Sequence, residues 1–191
     1  MALDTNINYI VSGLERSGTS LLMQILHAGG VPAAYDHDSR PPDVNNPKGY
    51  WELEGGKIIN SLKDGDFPLD SYKGQVIKIT AYGLKFLPEG KYKIIYSLRN
   101  IEEILDSMEK MAKVQDENRE ETKMIFTKLN DMIKLQISER TDCEVLFVSY
   151  NELVTDAETG IQAIGDFIPE AELDRAKMQE VIDPNLHRNR R

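Results

Sequence analysis

The chain has 191 residues, of which 40% are hydrophobic and 29% charged, a composition typical of one soluble globular domain and unlike that of disordered proteins. Its net charge of −9 argues against a surface that follows a polyanion, so we expect no nucleic-acid partner and only local anion binding. The single cysteine, Cys143, excludes an internal disulfide, and the lack of a long apolar run or leader predicts a cytoplasmic protein without a membrane span.

The N-terminal part of the chain predicts a strand, a loop and a helix in direct succession. Tyr9 to Val11 form a short apolar run, and Leu21, Leu22, Ile25 and Leu26 recur with the spacing of one helix face. Gly29 and Gly30 then end the helix. A loop that leaves a strand and opens a helix directs backbone N–H groups and the helix dipole at one point. We therefore predict a phosphate or sulfate site here.

The loop itself resembles a nucleotide-binding phosphate loop with one important substitution. Gly13, Gly18, Thr19 and Ser20 match the pattern, but Thr19 stands where the lysine of nucleotide hydrolases belongs. The cation lies inside the loop instead, at Arg16. Such a loop suits a less charged group than a triphosphate, for example a phosphosulfate, and it requires no metal ion. A kinase-like or NTPase-like phosphoryl transferase stays open as an alternative.

The middle of the chain combines short predicted elements with one long loop. We predict a second strand at Val31 to Tyr35, a helix at Glu54 to Leu62, a loop at Gly65 to Tyr72 and a strand at Val76 to Ile79. Asp36 to Glu52 contains prolines, asparagines and a glycine that prevent regular structure, and a loop of this length in a compact domain is usually functional.

The C-terminal half alternates strands with helices. The first predicted elements are a strand at Tyr92 to Leu98 and a helix from Ile101 to Met111, which is opened by a capping box of Asn100 and Glu103. A second helix ends near Arg140. A strand buried on both faces follows at Glu144 to Ser149, begun by Cys143, and then a helix at Asp156 to Phe167. This order predicts a single α/β domain over residues 1–191, with a P-loop-like, three-layer fold. Its central parallel sheet would have about four or five strands flanked by helices.

A second anion site is predicted where the Tyr92 to Leu98 strand ends. Ligands of open parallel sheets bind at the carboxyl ends of the strands, and Arg99 directly follows this strand. Ser107 lies about two helical turns further on and is expected on the same side. A guanidinium and a hydroxyl that converge would bind a phosphate, at a site distinct from the loop at Arg16.

Several stretches together resemble the sulfotransferases that use 3′-phosphoadenosine-5′-phosphosulfate (PAPS) and release adenosine 3′,5′-bisphosphate (PAP). They are Arg16-Ser17-Gly18-Thr19-Ser20 after a strand, Arg99 with Ser107, Val148 to Leu153, and Asn46 to Glu52. The resemblance implies that residues 16–20 bind the 5′-phosphosulfate, that Arg99 and Ser107 bind the 3′-phosphate, and that Tyr150 contacts the adenine. Arg188 or Arg190 would fold over the 3′-phosphate, unless the basic tail is simply solvated. Glu15 replaces the proline usual in the family.

The same resemblance suggests the residues that carry out the transfer. Relatives that act on sugars and tyrosine use a glutamate from the region of Glu52 as the base, and we assign this role to Glu52, with Glu54 and His37 as alternatives. Lys78 would assist departure of the bisphosphate together with Arg16. The acceptor would be a hydroxyl of unknown class, and no oligomeric state is predicted. A non-catalytic binder of PAP is the remaining alternative.

Overall fold

Four parallel strands form the centre of the protein in a computed structural model that describes residues 3–36, 38, 41–44 and 46–183. The strands are β1 (Asn8–Gly13), β2 (Val76–Lys78), β3 (Tyr92–Leu98) and β4 (Cys143–Ser149), in the spatial order β2-β1-β3-β4. All neighbouring pairs are parallel, with Val11 opposite both Lys78 and Ile95. The predicted α/β fold with a central parallel sheet is confirmed. The carboxyl ends of the four strands meet at one edge.

Helices cover both faces of this sheet. The α-helices of the described residues are α1 (Thr19–Ala28), α2 (Ile58–Asp64), α3 (Ile101–Ala112), α4 (Arg119–Glu139), α5 (Tyr150–Thr155), α6 (Ala157–Phe167) and α7 (Arg175–Glu180). Short 3₁₀-helices lie at Glu54–Gly56, Leu69–Tyr72 and Ala81–Phe86. Within the described ranges, no helix is both long and apolar enough to cross a bilayer.

The alternation of side chains along β1 explains the three layers. Ile10 packs into a core that includes Ile104 of α3 and Ile133 of α4. Tyr9 and Val11 point to the opposite face and pack into a second core with residues of α1, α6 and α7. Successive residues of a strand face opposite sides, so an entirely apolar strand is buried between two helical layers.

The predicted strand at Val31 to Tyr35 is wrong, because this segment makes only one bridge to the sheet. Val76 donates its N–H to the carbonyl of Pro32 and accepts a hydrogen bond from the N–H of Ala34. Pro32 has no N–H of its own, and the N–H of Asp36 is directed to the carbonyl of Glu52 instead. The chain therefore leaves the sheet after one residue pair and turns toward Glu52.

The expectation that β4 is buried on both faces is also wrong. This strand lies at the end of the sheet order, and Glu144 and Phe147 are exposed. Cys143 does begin the strand, as predicted, and is half-buried. Burial raises the pKa of the Cys143 thiol to about 11, so it is protonated at neutral pH.

The helix predicted from Glu54 to Leu62 is interrupted. Glu54 and Gly56 form a 3₁₀ turn in which Glu54, Gly55 and Gly56 have φ values of 49°, 61° and 85°, and the α-helix begins only at Ile58. Three successive residues with positive φ cannot continue into an α-helix. A methyl group at Gly56 would lie 2.9 Å from Oε2 of Glu52, so this turn allows the backbone to approach the carboxylate closely.

Candidate functional site

A cavity of about 470 Å³ opens at the carboxyl edge of the sheet. Most of the predicted site residues line this cavity, although they come from five separate segments of the chain. These are Arg16, Gly18, Thr19, Ser20, Glu52, Lys78, Arg99, Ser107 and Tyr150. Parallel strands bring the residues that follow them to one edge, which explains why such distant positions in the sequence share one cavity.

The backbone of the β1–α1 loop adopts conformations that favour glycine. Gly13 and Gly18 have φ values of 144° and 108°, and Arg16 has a φ of 64°. A methyl group at Gly13 would lie 2.7 Å from the carbonyl oxygen of Ser97, so only glycine fits against β3. The loop ends at the first turn of α1, where backbone N–H groups lack acceptors within the helix. Loop and helix together direct backbone N–H groups toward the cavity, and the binding of an anion there stays a prediction.

Ser17 and Ser20, two of the loop residues predicted to bind the 5′-phosphosulfate, have hydroxyl groups whose surroundings were not predicted. Ser17 is buried and does not line the cavity, its N–H is bonded to the carbonyl of Leu14, and its Oγ has no hydrogen-bond partner among the described residues. The side chain of Ser17 faces Gly13, where a methyl group would lie 2.5 Å from its Oγ. Ser17 is therefore not positioned to contact a molecule in the cavity.

Ser20 lines the cavity, but its hydroxyl connects the loop to neighbouring segments. Its Oγ donates to the carbonyl of Tyr50 over 3.0 Å and accepts from Nδ2 of Asn46 over 3.1 Å. Lys78 Nζ lies 3.2 Å from the same Oγ. One donor and two acceptor positions are all that a hydroxyl has. Ser20 thus joins the loop to β2 and to the long loop before Glu52.

The two predicted anion sites are contiguous. Nε of Arg16 donates to Oγ of Ser107 over 3.0 Å, and Nη1 of Arg99 donates to the carbonyl of Arg16 over 3.0 Å. Arg16, Arg99 and Ser107 therefore form a single basic wall, instead of two clearly separate pockets. Helix α3 positions Ser107 on this wall, because it begins at Ile101, two residues after Arg99.

The guanidinium of Arg99 is paired with the carboxylate of Glu103, a residue that was predicted from the sequence only as part of a helix cap. Glu103 is fully buried, and its Oε2 accepts from Nε of Arg99 over 2.9 Å. Its Oε1 accepts from Nδ2 of Asn151 over 2.9 Å. Asn100 caps α3 through the N–H of Glu102, so the predicted capping box takes a different form. The spacing of four residues between Arg99 and Glu103 was the available signal.

Tyr150 forms the other support of Arg99. The guanidinium carbon of Arg99 lies 4.4 Å from the centre of the Tyr150 ring, within the range of a cation–π contact. A methyl group at Gly18 would lie 2.3 Å from Cδ2 of the same ring. Tyr150 thus packs between the loop and Arg99, and the glycine at position 18 is required by this approach as well as by its φ of 108°.

Glu52 and Lys78 form a buried ion pair in the cavity. Nζ of Lys78 lies 2.8 Å from Oε1 of Glu52, and it also donates to the carbonyl of Tyr50. The side chains are 3% and 10% exposed for Lys78 and Glu52 respectively. Burial of a charged pair is tolerated because each member has a partner of opposite charge. Oε2 of Glu52 lies on the side of Gly56, where an added methyl group would come within 2.9 Å of it.

Glu54 and His37, the alternatives to Glu52 as the base, are not among the described residues that line the cavity. Glu54 is exposed and does not line the cavity, and its N–H is bonded to Oδ2 of Asp36. His37 lies outside the described residues, as do Arg188 and Arg190. Glu15 is exposed at the rim of the cavity. Of the three carboxylate and imidazole candidates for a base, Glu52 is the one that the described structure brings into the cavity.

The charge in the cavity is opposite to that of the whole chain. Its described lining contains five cationic side chains and three carboxylates, which are Arg16, Lys48, Lys78, Arg99 and Lys110, and Glu15, Glu52 and Asp183. The chain as a whole has a net charge of −9. Positive potential is therefore concentrated where the strands end, as expected for a site that binds an anion.

No cluster of three His, Cys, Asp or Glu side chains that could hold a metal occurs in the described parts of the chain.

Comparisons with known proteins agree on one fold. The sulfotransferase domain of the Synechococcus PCC 7002 olefin synthase has 16% identity and a TM-score of 0.53, with 98% of this chain and 84% of that one covered. Mouse sulfotransferase SULT7A1, solved in complex with PAP, has 15% identity and a TM-score of 0.50, with 94% and 64% covered. This chain thus spans slightly less than two thirds of the mouse enzyme. At these identities the likeness shows the fold alone.

A sequence comparison with curated proteins gave no match. The profile of the family described as "Sulfotransferase domain" matches residues 6–188, which is nearly the whole chain and includes every segment that lines the cavity. The chain therefore belongs to the sulfotransferase domain family.

Proposed function

We propose that this protein transfers a sulfuryl group from PAPS to the hydroxyl of an acceptor, with Glu52 as the base. One observation carries the proposal. The same cavity contains a basic wall of Arg16, Arg99 and Ser107 and an ion pair of Glu52 with Lys78. The first is suited to a bisphosphorylated nucleotide, and the second offers a carboxylate and an ammonium group for proton transfer and for charge stabilisation.

The donor side of the cavity fits a nucleotide with two anionic ends. The first N–H groups of α1 and the guanidinium of Arg16 would bind the 5′-phosphosulfate, with Thr19 alongside. Arg99 and Ser107 would bind the 3′-phosphate, and Glu103 keeps the Arg99 guanidinium in place. Contact of Tyr150 with the adenine stays a prediction, since this ring also packs against Arg99.

The transfer requires a base, an in-line acceptor and cations near the leaving group. PAPS, when bound, supplies the sulfuryl group. The Glu52 carboxylate accepts the proton of the acceptor hydroxyl, and its Oε1 is paired with Lys78. Lys78 and Arg16 would stabilise negative charge on the departing bisphosphate. The hydrogen bond of Lys78 to Ser20 connects this pair to the β1–α1 loop.

The donor is tested by thermal unfolding in the presence of PAP, ATP, or ATP with magnesium, because a ligand stabilises only the fold that binds it. We expect PAP to raise the melting temperature, and saturation at about 100 times Kd corresponds to about 2.7 kcal/mol. A shift with ATP and magnesium but none with PAP would identify a phosphoryl transferase and reject the proposal.

The base is tested by Glu52→Gln in an assay with sulfur-labelled PAPS and a panel of sugars, lipids, phenols and small alcohols. We expect retained PAP binding with turnover reduced about 100-fold or more, the usual contribution of a general base. Glu158→Gln, at an exposed position of α6, is the matched control and should keep wild-type turnover. Unchanged turnover in Glu52→Gln would exclude Glu52 as the base. Failure of the wild type to turn over any acceptor while it binds PAP would favour the non-catalytic binder.

A further inference from the structure

Helix α4 carries apolar side chains on its outward face as well as on its buried face. Ile133 and Ile137 are fully buried against the sheet. Met124, Ile125, Met132 and Leu135 lie elsewhere on the helix and are 49%, 53%, 42% and 59% exposed. A helix on the surface of a globular protein usually presents polar residues to solvent. A concentration of large exposed apolar side chains on one helix marks an interaction surface.

The face of α4 that points away from the core carries a stripe of four residues whose spacing is the same from either end of the helix. Met124, Lys128, Asp131 and Leu135 are spaced by four, three and four residues, so they share one face of the helix. All four are exposed. The stripe has an apolar residue at each end and two opposite charges in the middle. Asp131 is 66% exposed and lies 4.0 Å from Lys134, a long separation for an ion pair.

We propose that α4 is the interface of a homodimer, with α4 of a second copy packed antiparallel across it. A two-fold axis between Lys128 and Asp131 would bring each Lys128 against Asp131 of the second copy. The same axis would bring each Met124 against Leu135 of the second copy. An isologous interface requires a surface that is complementary to itself under a two-fold rotation. This stripe meets that requirement in both charge and apolar character.

The local charge pattern of the stripe, and not the net charge of the chain, indicates a second copy as the partner. Two chains of net charge −9 repel each other at long range, so an interface between copies needs local pairs of opposite charge. The stripe provides two such pairs, one on each side of the axis. No residue of Arg119–Glu139 is among those that line the described cavity, so both sites of the dimer stay open. The dimer does not depend on the proposed sulfuryl transfer.

The expected interface is of modest size. Met124 and Leu135 are eleven residues apart, about 17 Å along a helix axis. A contact of this length is at the lower end of the areas that specific interfaces bury, so we expect a dimer that dissociates on dilution. Sedimentation velocity over a range of concentrations measures this directly.

Charge reversal is the decisive test. Lys128→Asp and Asp131→Lys, made separately, each place like charges opposite one another twice, and we expect both variants to be monomers. The double variant Lys128→Asp with Asp131→Lys restores opposite pairs and should dimerise as the wild type does. Lys63→Asp, at an exposed position of α2, is the control for the change in net charge and should stay dimeric. A monomeric wild type, dimeric single variants or a monomeric double variant would each overturn the proposal.

Disulfide trapping gives a second measurement that does not depend on charge. In a Cys143→Ser background, Met124→Cys combined with Leu135→Cys should form intermolecular disulfides, because position 124 would face position 135 of the second copy. Disulfides need Cα atoms within about 7 Å. Met124→Cys alone should not cross-link, since the two copies of position 124 would be about 17 Å apart. Equal cross-linking of the single and double variants, or none in the double variant, would contradict the antiparallel arrangement.

Discussion

Arg16 donates a hydrogen bond from Nε to Oγ of Ser107 over 3.0 Å, across 91 residues of sequence. From the sequence, these two residues were predicted to belong to different anion sites. Their contact means that the cation of the β1–α1 loop is held on the side of α3. The residue that would bind the 5′-phosphosulfate is therefore in direct contact with a residue that would bind the 3′-phosphate.

Ser107→Ala tests this coupling. Removal of the hydroxyl deletes one hydrogen bond to the Arg16 guanidinium and one donor for the nucleotide. Both bonds involve a charged partner, and such hydrogen bonds contribute about 1.5 to 3 kcal/mol, so we expect PAP to bind about 10-fold more weakly, at the lower end of this range because the hydroxyl itself is neutral. Isothermal titration calorimetry measures the change. An unaltered Kd would show that Ser107 does not contribute to the nucleotide site.

Arg99→Ala should weaken PAP binding more than Ser107→Ala does. A charge-assisted hydrogen bond contributes about 1.5 to 3 kcal/mol, which corresponds to an increase in Kd of about 10- to 150-fold. Arg119→Ala is the matched control, because Arg119 of α4 is also ion-paired with carboxylates of α3 but does not line the cavity. Equal effects of the two substitutions on Kd would indicate general electrostatics and not a specific phosphate site.

Glu103 positions Arg99, and its loss should affect stability as well as binding. Glu103→Leu would leave the Arg99 guanidinium, which is 7% exposed, without this carboxylate, and breaking such a buried pair costs about 3 to 5 kcal/mol. The double variant Arg99→Met with Glu103→Leu replaces both charges by apolar groups and should recover most of the stability. It should still bind PAP about 10- to 150-fold more weakly than the wild type, because the Arg99 guanidinium is absent. Chemical denaturation and calorimetry separate these two effects, and recovery of binding in the double variant would remove Arg99 from the proposed site.

Much of the fold follows from local pattern. The apolar run at Tyr9 to Val11, the glycines at positions 13 and 18 and the helical spacing after Ser20 are all contained within a few turns of chain. Such a pattern determines a strand, a loop and a helix nearly by itself. The residues that follow each strand could then be assigned to one edge of the sheet, and this was enough to bring Arg99 and Lys78 to the same cavity.

The errors occur where long-range contacts override local pattern. Val31 to Tyr35 has the composition of a strand, but Pro32 cannot donate and Asp36 bonds to Glu52, sixteen residues away. Glu54 to Leu62 has helical spacing, but Gly55 and Gly56 turn the chain toward a carboxylate. Glu103 has helical spacing from Arg99, but its second partner, Asn151, lies 48 residues further along the chain. None of these partners can be read from neighbouring residues.

The contact between α3 and α4 predicts a dependence of stability on pH. Glu102 lies at the start of α3 and accepts hydrogen bonds from Lys123 and Arg119 of α4. These bonds lower the pKa of Glu102 to about 2 from its usual value of 4.5. A carboxylate whose pKa is lower in the folded state contributes stability above its unfolded pKa and loses that contribution as the pH falls through its folded pKa.

Glu102→Gln should therefore lower the melting temperature relative to the wild type at pH 6 to 7, where the carboxylate is charged in both states. The difference should shrink below the usual pKa and close at about pH 2, because the wild-type side chain is then protonated as well. Glu158→Gln, on α6, controls for the change in net charge. High salt should reduce the difference at neutral pH, since exposed ion pairs are screened. A melting-temperature difference that stays constant from pH 7 to pH 2 would show that the charge of Glu102 does not stabilise the contact between α3 and α4.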